Sequence, residues 1–238
     1  MARTALVTGA SGGIGSATAR DLGTDHDVVA HYNTDREHAA AVADDVSDEG
    51  HEAIVHQCDL RDPDAIGEMV DRARDELGGV DVLVNNAGVL HAAGLETASD
   101  DEIRETLRVN LEGAVFCARA VLPGMRERGE GWIINVSSTA GTGGSPTDAA
   151  YGASKAGLLG LTKSLAKQYT DDGVFTNAVA PGPVTTDLFA TERRPATRAA
   201  SPIDRLVRPE EVAEAVRAFA TTSSTTGQTL TVDGGIRL

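Results

Sequence analysis

Ala5-Leu6-Val7-Thr8-Gly9-Ala10-Ser11-Gly12-Gly13-Ile14-Gly15 opens the chain with a short apolar run and a glycine-rich turn. The run reads as a buried strand, and Ser16 to Leu22 after the turn reads as a helix. Gly9, Gly13 and Gly15 allow a tight turn. With Ser11 and Ile14 between them, they let backbone N–H groups approach a pyrophosphate at the positive end of that helix. A glycine-rich turn alone also fits a plain connection. Its place between a strand and a helix is the context that dinucleotide binding demands.

Working outward, β-branched or apolar runs alternate with helical patterns to the end of the chain. Ala5–Thr8, Val28–Tyr32, Ala53–Gln57, Val82–Asn85, Trp132–Val136, Phe175–Ala180 and Thr229–Val232 predict seven strands. Between the third and fourth, Ile66, Val70, Ala73 and Leu77 form the apolar stripe of a helix lying on a sheet. Asp62-Pro63 is a helix start, and Ser99 with Glu102 has the spacing of a capping box. Strands alternating with helices predict an α/β fold, a doubly wound, seven-stranded parallel sheet with helices on both faces. No linker or repeat divides it, so residues 1–238 are read as one domain. Its nucleotide-binding half is about 1–90, with a catalytic and substrate part over about 91–238.

Composition excludes several classes of function. A formal charge of −15 argues against nucleic acid, whose binders cluster Lys and Arg. Cys58 and Cys117 are too few for a disulfide framework or thiolate metal site, and the six histidines form no H-E-x-x-H pattern, so no metal is expected. No run approaches a membrane span and the chain opens on its first strand, which reads as a cytoplasmic protein without a membrane partner. Eighteen of the 21 basic residues are Arg and only Lys155, Lys163 and Lys167 are Lys. Acid excess with so little Lys resembles proteins of salt-loving microbes. An ordinary acidic protein is the other reading. Because the Debye length falls from ~30 Å at 0.01 M salt to ~3 Å at 1 M, self-repulsion of such a surface is screened by salt. The melting temperature is therefore expected to rise between 0.1 and 3 M KCl, on the order of molar salt; a flat profile by scanning calorimetry would contradict the halophilic reading.

Tyr151-Gly152-Ala153-Ser154-Lys155 places a phenol and an ammonium four residues apart, on one face of a helix. A nearby cation favours phenolate and is expected to lower the tyrosine pKa from its usual ~10. Such a phenol can give a proton to a carbonyl oxygen as hydride reaches the carbon. The spacing alone also fits an exposed helix face. Ser137-Ser138 closes the fifth strand, placing a hydroxyl at the carboxyl end of the sheet, where open α/β folds bind ligands.

The Gly-x-x-x-Gly-x-Gly turn, Asn85-Asn86-Ala87-Gly88, Ser138, Tyr151-x-x-x-Lys155 and Pro181-Gly182 occur in this order along nearly the whole chain. In this the chain resembles the short-chain dehydrogenase/reductase family, whose fold is of the Rossmann type. The resemblance implies that Ser138 polarises the substrate carbonyl and Tyr151 is the proton donor. It implies that Lys155 tunes Tyr151 and bonds the nicotinamide ribose, and that Asn110 anchors a water leading from the lysine to solvent. Asp59 would contact the adenine edge with Leu60 supplying backbone. Asn86, Ala87 and Gly88 would line the ribose. Pro181, Gly182, Val184 and Thr186 would hold the nicotinamide carboxamide. Read without the family, Asp59 is a capping acid, Asn85 and Asn86 structural amides, and Asn110 an interior polar residue. A homotetramer is implied, pairing the Asn110–Met125 and Tyr151–Tyr169 helices across two-fold axes.

The cofactor choice turns on the end of the second strand, His31-Tyr32-Asn33-Thr34-Asp35-Arg36. An acid there would bond the ribose 2′-hydroxyl and repel a 2′-phosphate, and Tyr32 stands in its place. NADP(H) is favoured over NAD(H), with Asn33, Thr34 and Arg36 as phosphate ligands; Arg36 also fits a solvated helix start. Around Ser138 and Pro181 the chain resembles the 3-oxoacyl-thioester reductases of the family. The implied substrate is an acyl-CoA or acyl-carrier-protein thioester under a lid at about 188–202. Arg126, Arg128, Arg193, Arg194 and Arg198 fit a local basic patch for a carrier protein, a site for the phosphates of CoA, or scattered surface charges. The alternatives are a sugar, secondary alcohol or simple ketone as substrate, or a non-catalytic NADP-binding regulatory protein. The presence of both Tyr151 and Lys155 opposes the last.

Overall fold

All seven predicted strands form one parallel sheet in the order β3-β2-β1-β4-β5-β6-β7. They are β1 (Arg3–Val7), β2 (His26–Tyr32), β3 (Ala53–Gln57), β4 (Val82–Asn85), β5 (Gly131–Val136), β6 (Val174–Pro181) and β7 (Thr229–Val232). This is a computed structural model, and it describes residues 2–186, 188 and 194–237. The helices are α1 (Gly13–Leu22), α2 (Arg36–Asp48), α3 (Pro63–Leu77), α4 (Asp100–Leu107), α5 (Gly113–Arg128), α6 (Thr139–Gly143), α7 (Ala149–Tyr169), α8 (Arg194–Ala200) and α9 (Pro209–Ala220).

The strands read as unbroken apolar runs because both of their faces are covered. Ala5 and Val7 of β1, Val28 and Ala30 of β2, Val82 and Val84 of β4, and Trp132, Ile134 and Val136 of β5 enter one core, closed by residues of α1, α2 and α9. The alternate residues Leu6, Val29, Leu83 and Ile133 enter a second core with Ile66, Met69, Ala73, Cys117, Val121 and Met125. The two-residue period of a strand thus feeds two layers of helices at once. Each fully buried Leu, Ile or Val contributes about 1.5–3 kcal/mol.

Local signals behave as their chemistry requires. Asp62 caps α3, its carboxylate accepting the Asp64 N–H at 3.0 Å, with Pro63 at the first helical position. Ser99 and Glu102 form the reciprocal capping box of α4, with bonds of 3.2 and 2.7 Å. Two helix expectations are corrected. The first helix begins at Gly13 rather than Ser16, because Gly12 in extended backbone serves as its cap. The helix expected over Asn110–Met125 is α-helical only from Gly113, because a π-helical turn spans Arg108–Glu112. There the Asn110 side chain binds both backbone groups of Val89, accepting its N–H at 2.8 Å and donating to its carbonyl at 3.0 Å. Such bulges recur at functional sites. Of the lid expected at 188–202, residues 189–193 lie outside the described residues, and α8 covers 194–200. Among the described residues no helix is long and apolar enough to cross a membrane.

Candidate active site

The strand order reverses between β1 and β4, which opens a crevice at their carboxyl ends. The glycine turn fills the β1 side of this crevice. Gly9 adopts φ +67°, a region that disfavours any side chain. A Cβ at Gly15 would strike the Gly9 carbonyl and lie 2.5 Å from Asn86 Nδ2, so the turn closes only with glycine there. Thr8 Oγ accepts the N–H groups of Asn86 at 2.9 Å and Ala87 at 3.0 Å, while Asn86 Nδ2 donates to the Thr8 carbonyl at 2.9 Å. The N–H groups of Gly13, Ile14 and Gly15, the first turn of α1, have no acceptor among the described residues. Unpaired donors at a helix start suit a pyrophosphate, so this cradle fits a dinucleotide.

Ser138, Tyr151, Lys155 and Asn110 converge on the β4–β5 side of the crevice. Ser138 follows β5 and caps α6, its Oγ accepting the Ala140 N–H at 3.1 Å. The same hydroxyl lies near the Tyr151 side chain and favours its ionised form. Asp148 caps α7 by accepting the Tyr151 N–H at 2.9 Å, which fixes the first turn that carries the phenol. Lys155 is 4 % exposed and donates to the Val136 carbonyl at 2.9 Å. Asn110 Nδ2 also donates to Ser154 Oγ at 3.2 Å, tying the π-turn to α7 between the tyrosine and the lysine. Gly88 lies beside both groups: a Cβ there would sit 3.2 Å from Asn110 Oδ1 and 3.4 Å from Lys155 Nζ.

The electrostatics correct one expectation. Burial pushes the Tyr151 phenol above its usual range; the nearby Ser138 hydroxyl opposes this and the Asp148 charge adds to it. The Lys155 ammonium lies 5.7 Å from the tyrosine ring centre, turned to the Val136 carbonyl, and its pKa is lowered to about 8 by burial. In this geometry the phenol is therefore held protonated, the form that can donate.

Other predicted residues fall around the same crevice. Asp59 and Leu60 follow β3; Arg61 grips the Asp59 carboxylate through Nε at 2.9 Å and Nη2 at 2.7 Å, which holds that carboxyl below its usual range. Pro181 ends β6, Gly182 donates its N–H to Val232 at 2.9 Å, and Val184 bridges to Val207. Thr186 packs on Gly13, joining the expected nicotinamide and pyrophosphate segments. Asn33, Thr34 and Arg36 lie exposed at the end of β2 and the start of α2. Beneath the site, Asn85 Nδ2 donates to Asn135 Oδ1 at 2.9 Å and Asn135 Nδ2 to Thr162 Oγ at 2.8 Å, and Ser137 donates to the Lys155 carbonyl at 2.7 Å. These amides and Ser137 support the strands and α7, in keeping with the structural reading of Asn85. Sequence reasoning gave no role to Thr8, His31, Asp148 or Ser154. Asp148 had a signal, an N-cap acid three residues before Tyr151; the others depend on contacts remote in sequence.

Comparison with known proteins agrees with this architecture. The profile of the short chain dehydrogenase family matches residues 3–197, and the chain belongs to that family. It is an oxidoreductase acting on CH–OH and C=O groups, in a family that binds a nicotinamide cofactor. Over 239 residues it is 39% identical to a 3-oxoacyl-[acyl-carrier-protein] reductase of Synechocystis sp., covering 99% of this chain and 97% of that protein. It is 40% identical to a cis-4-hydroxycyclohexanecarboxylate dehydrogenase of Sinomonas cyclohexanicum, covering 98% and 96%. The crystal structure of acetoin dehydrogenase YohF from Salmonella typhimurium superimposes with a TM-score of 0.91 at 33% identity, covering 99% of this chain and 96% of that one.

Proposed function

We propose that this enzyme reduces a 3-oxoacyl thioester to the 3-hydroxyacyl thioester with NADPH. The observation that carries the chemistry is a buried Tyr151 phenol, held protonated, gathered with the nearby Ser138 hydroxyl and the buried Lys155 at the carboxyl end of the sheet. NADPH, when bound, supplies the hydride. Tyr151 delivers the proton to the carbonyl oxygen, and Ser138 donates a hydrogen bond to that oxygen as charge develops on it. Lys155 provides a buried cation next to the phenol and a donor for the nicotinamide ribose. Asn110 holds the π-turn open beside it for a water that returns the proton. Gly9, Ser11, Gly13, Ile14 and Gly15 would hold the pyrophosphate, Asp59 and Leu60 the adenine, Asn86, Ala87 and Gly88 the ribose, and Pro181, Gly182, Val184 and Thr186 the carboxamide.

NADP(H) is favoured by the absence of an acid at Tyr32 and by the state of Arg36. Most arginines of this acidic surface pair with carboxylates, for example Arg20 with Asp45, Arg72 with Glu76 and Arg205 with Glu211. Arg36 is exposed and pairs with no carboxylate among the described residues, a guanidinium free to take a phosphate. Arg36→Ala is therefore expected to raise KM for NADPH about 10- to 100-fold, the value of a charge-assisted bond, while leaving KM for NADH nearly unchanged. Equal effects on both cofactors in steady-state kinetics would remove Arg36 from the phosphate site.

The full-length 3-oxoacyl reductase relatives support the thioester, and the charges bear on its carrier. Arg126 pairs with Asp172 at 2.7 Å, Arg128 with Asp81 at 3.1 Å and Arg198 with Asp204 at 3.4 Å. The Arg193 and Arg194 side chains lie outside the described residues. With three of its five guanidiniums neutralised, the patch favours an acyl-CoA over an acidic carrier protein. The test is an initial-rate assay with acetoacetyl-CoA in 2–3 M KCl, on the order of molar salt, comparing NADPH with NADH. Rapid NADPH-dependent turnover supports the proposal; silence with both cofactors, with NADPH binding intact, overturns it. The dehydrogenases of a cyclic alcohol and of acetoin among the relatives favour a simple secondary alcohol or ketone as the second reading. Assembly as a homotetramer draws support from exposed apolar Leu107 and Val115 flanking the π-turn; light scattering in high salt checks it.

A further inference from the structure

We propose that His31 is a positioning residue for the dinucleotide, a strap that sets the glycine turn from behind through its neutral ring. The proposal rests on dinucleotide binding at that turn and goes beyond it, since no motif of the family reading includes this residue. His31 lies in β2 and is 2 % exposed. Its Nδ1 accepts the Gly9 N–H at 3.0 Å, and its Nε2 lies 2.9 Å from the Cys58 carbonyl at the end of β3. These two partners fix the proton. Nδ1 must be bare to accept from an N–H, so Nε2 carries the hydrogen and donates it to the carbonyl. The His31 carbonyl also accepts the Ala10 N–H at 2.8 Å.

One residue thereby occupies the first two N–H groups of the turn. The Gly12 N–H is taken by the Gly9 carbonyl at 3.1 Å, which leaves the N–H groups of Ser11, Gly13, Ile14 and Gly15 without an acceptor among the described residues. Gly9 stays at its positive φ because its N–H is held by His31 while its carbonyl is held by Gly12 and by Asn86 Nδ2. Burial supports the neutral state, lowering the ring pKa to about 4. An imidazolium could not serve, since Nδ1–H would meet the Gly9 N–H donor to donor.

The test uses side chains that imitate each half of the ring. Asn places an oxygen where Nδ1 stands, and Gln places an NH₂ where Nε2–H stands; Leu supplies neither. NADPH affinity is measured by isothermal titration for wild type, His31→Leu, His31→Asn and His31→Gln, alongside kcat at saturating NADPH and melting temperature. His31→Leu and His31→Gln are expected to weaken NADPH about tenfold, the scale of one lost buried hydrogen bond, with kcat within about twofold. His31→Asn is expected to recover most of the affinity. A purely structural histidine would give similar melting losses in all three and no separation of Asn from Gln in affinity, and that result overturns the proposal. Should His31→Leu fail to fold, the Asn–Gln pair still decides. The titration needs no acyl substrate, so silence of the wild type toward acetoacetyl-CoA would sink the proposed substrate and leave this comparison standing. Wild type that binds neither NADPH nor NADH would sink both.

Discussion

Tyr151→Phe is expected to bind NADPH as the wild type does and to lose about 10²- to 10⁴-fold in kcat, the usual contribution of a positioned proton donor. The substitution removes one oxygen and little shape. Asp148 would still cap α7 through the backbone N–H of residue 151, so the helix start survives. The sign of the pH dependence follows from the environment of the phenol. Burial raises its pKa, so the protonated form that reduction needs persists through neutral pH and is lost only as pH climbs through the raised value. Oxidation needs the phenolate and should run the other way, gaining with alkali. Stopped-flow reduction rates across pH check both points. A Phe variant within threefold of wild type, on the order of 1 kcal/mol or less, would eliminate Tyr151 as the acid.

A loss of about 10²- to 10³-fold in kcat is expected for Ser138→Ala, the scale seen when one donor to a developing oxyanion is removed. The hydroxyl has two roles. It accepts the Ala140 N–H at the start of α6, and it lies near the tyrosine side chain. Removing it therefore also costs about 1 kcal/mol of capping, which would appear as a lower melting temperature and unchanged NADPH affinity. The Thr variant separates the two effects, because it keeps a hydroxyl and a capping oxygen. If Ser138→Ala lost less than about tenfold in kcat, polarisation of the carbonyl would have to come from the tyrosine alone.

Much of the fold was legible because its signals are local. The runs at β3, β4 and β7 have the bounds expected from sequence, and the others differ by a residue or two where flanking residues join the ladder. Asp62-Pro63 and Ser99-x-x-Glu102 start helices through bonds that span three residues. The π-turn was not legible, since it depends on a long-range bond between Asn110 and Val89. Nor was the state of Tyr151. A spacing of four residues puts Lys155 on the same helix face, but the direction of its ammonium depends on the Val136 carbonyl of another strand.

The sequence by itself determined the class of the protein. An apolar strand, a turn that only glycine can make, and Tyr, Lys and Ser at fixed distances along the chain are properties of local stereochemistry and order. The tertiary structure decided how those groups are charged and held. Burial sets the proton on Tyr151, the neutral tautomer of His31 and the lowered pKa of Lys155. Desolvation and hydrogen bonding come from neighbours brought together by the sheet, such as β2 beside β1 and β5 beside β4, and no spacing along one strand encodes them.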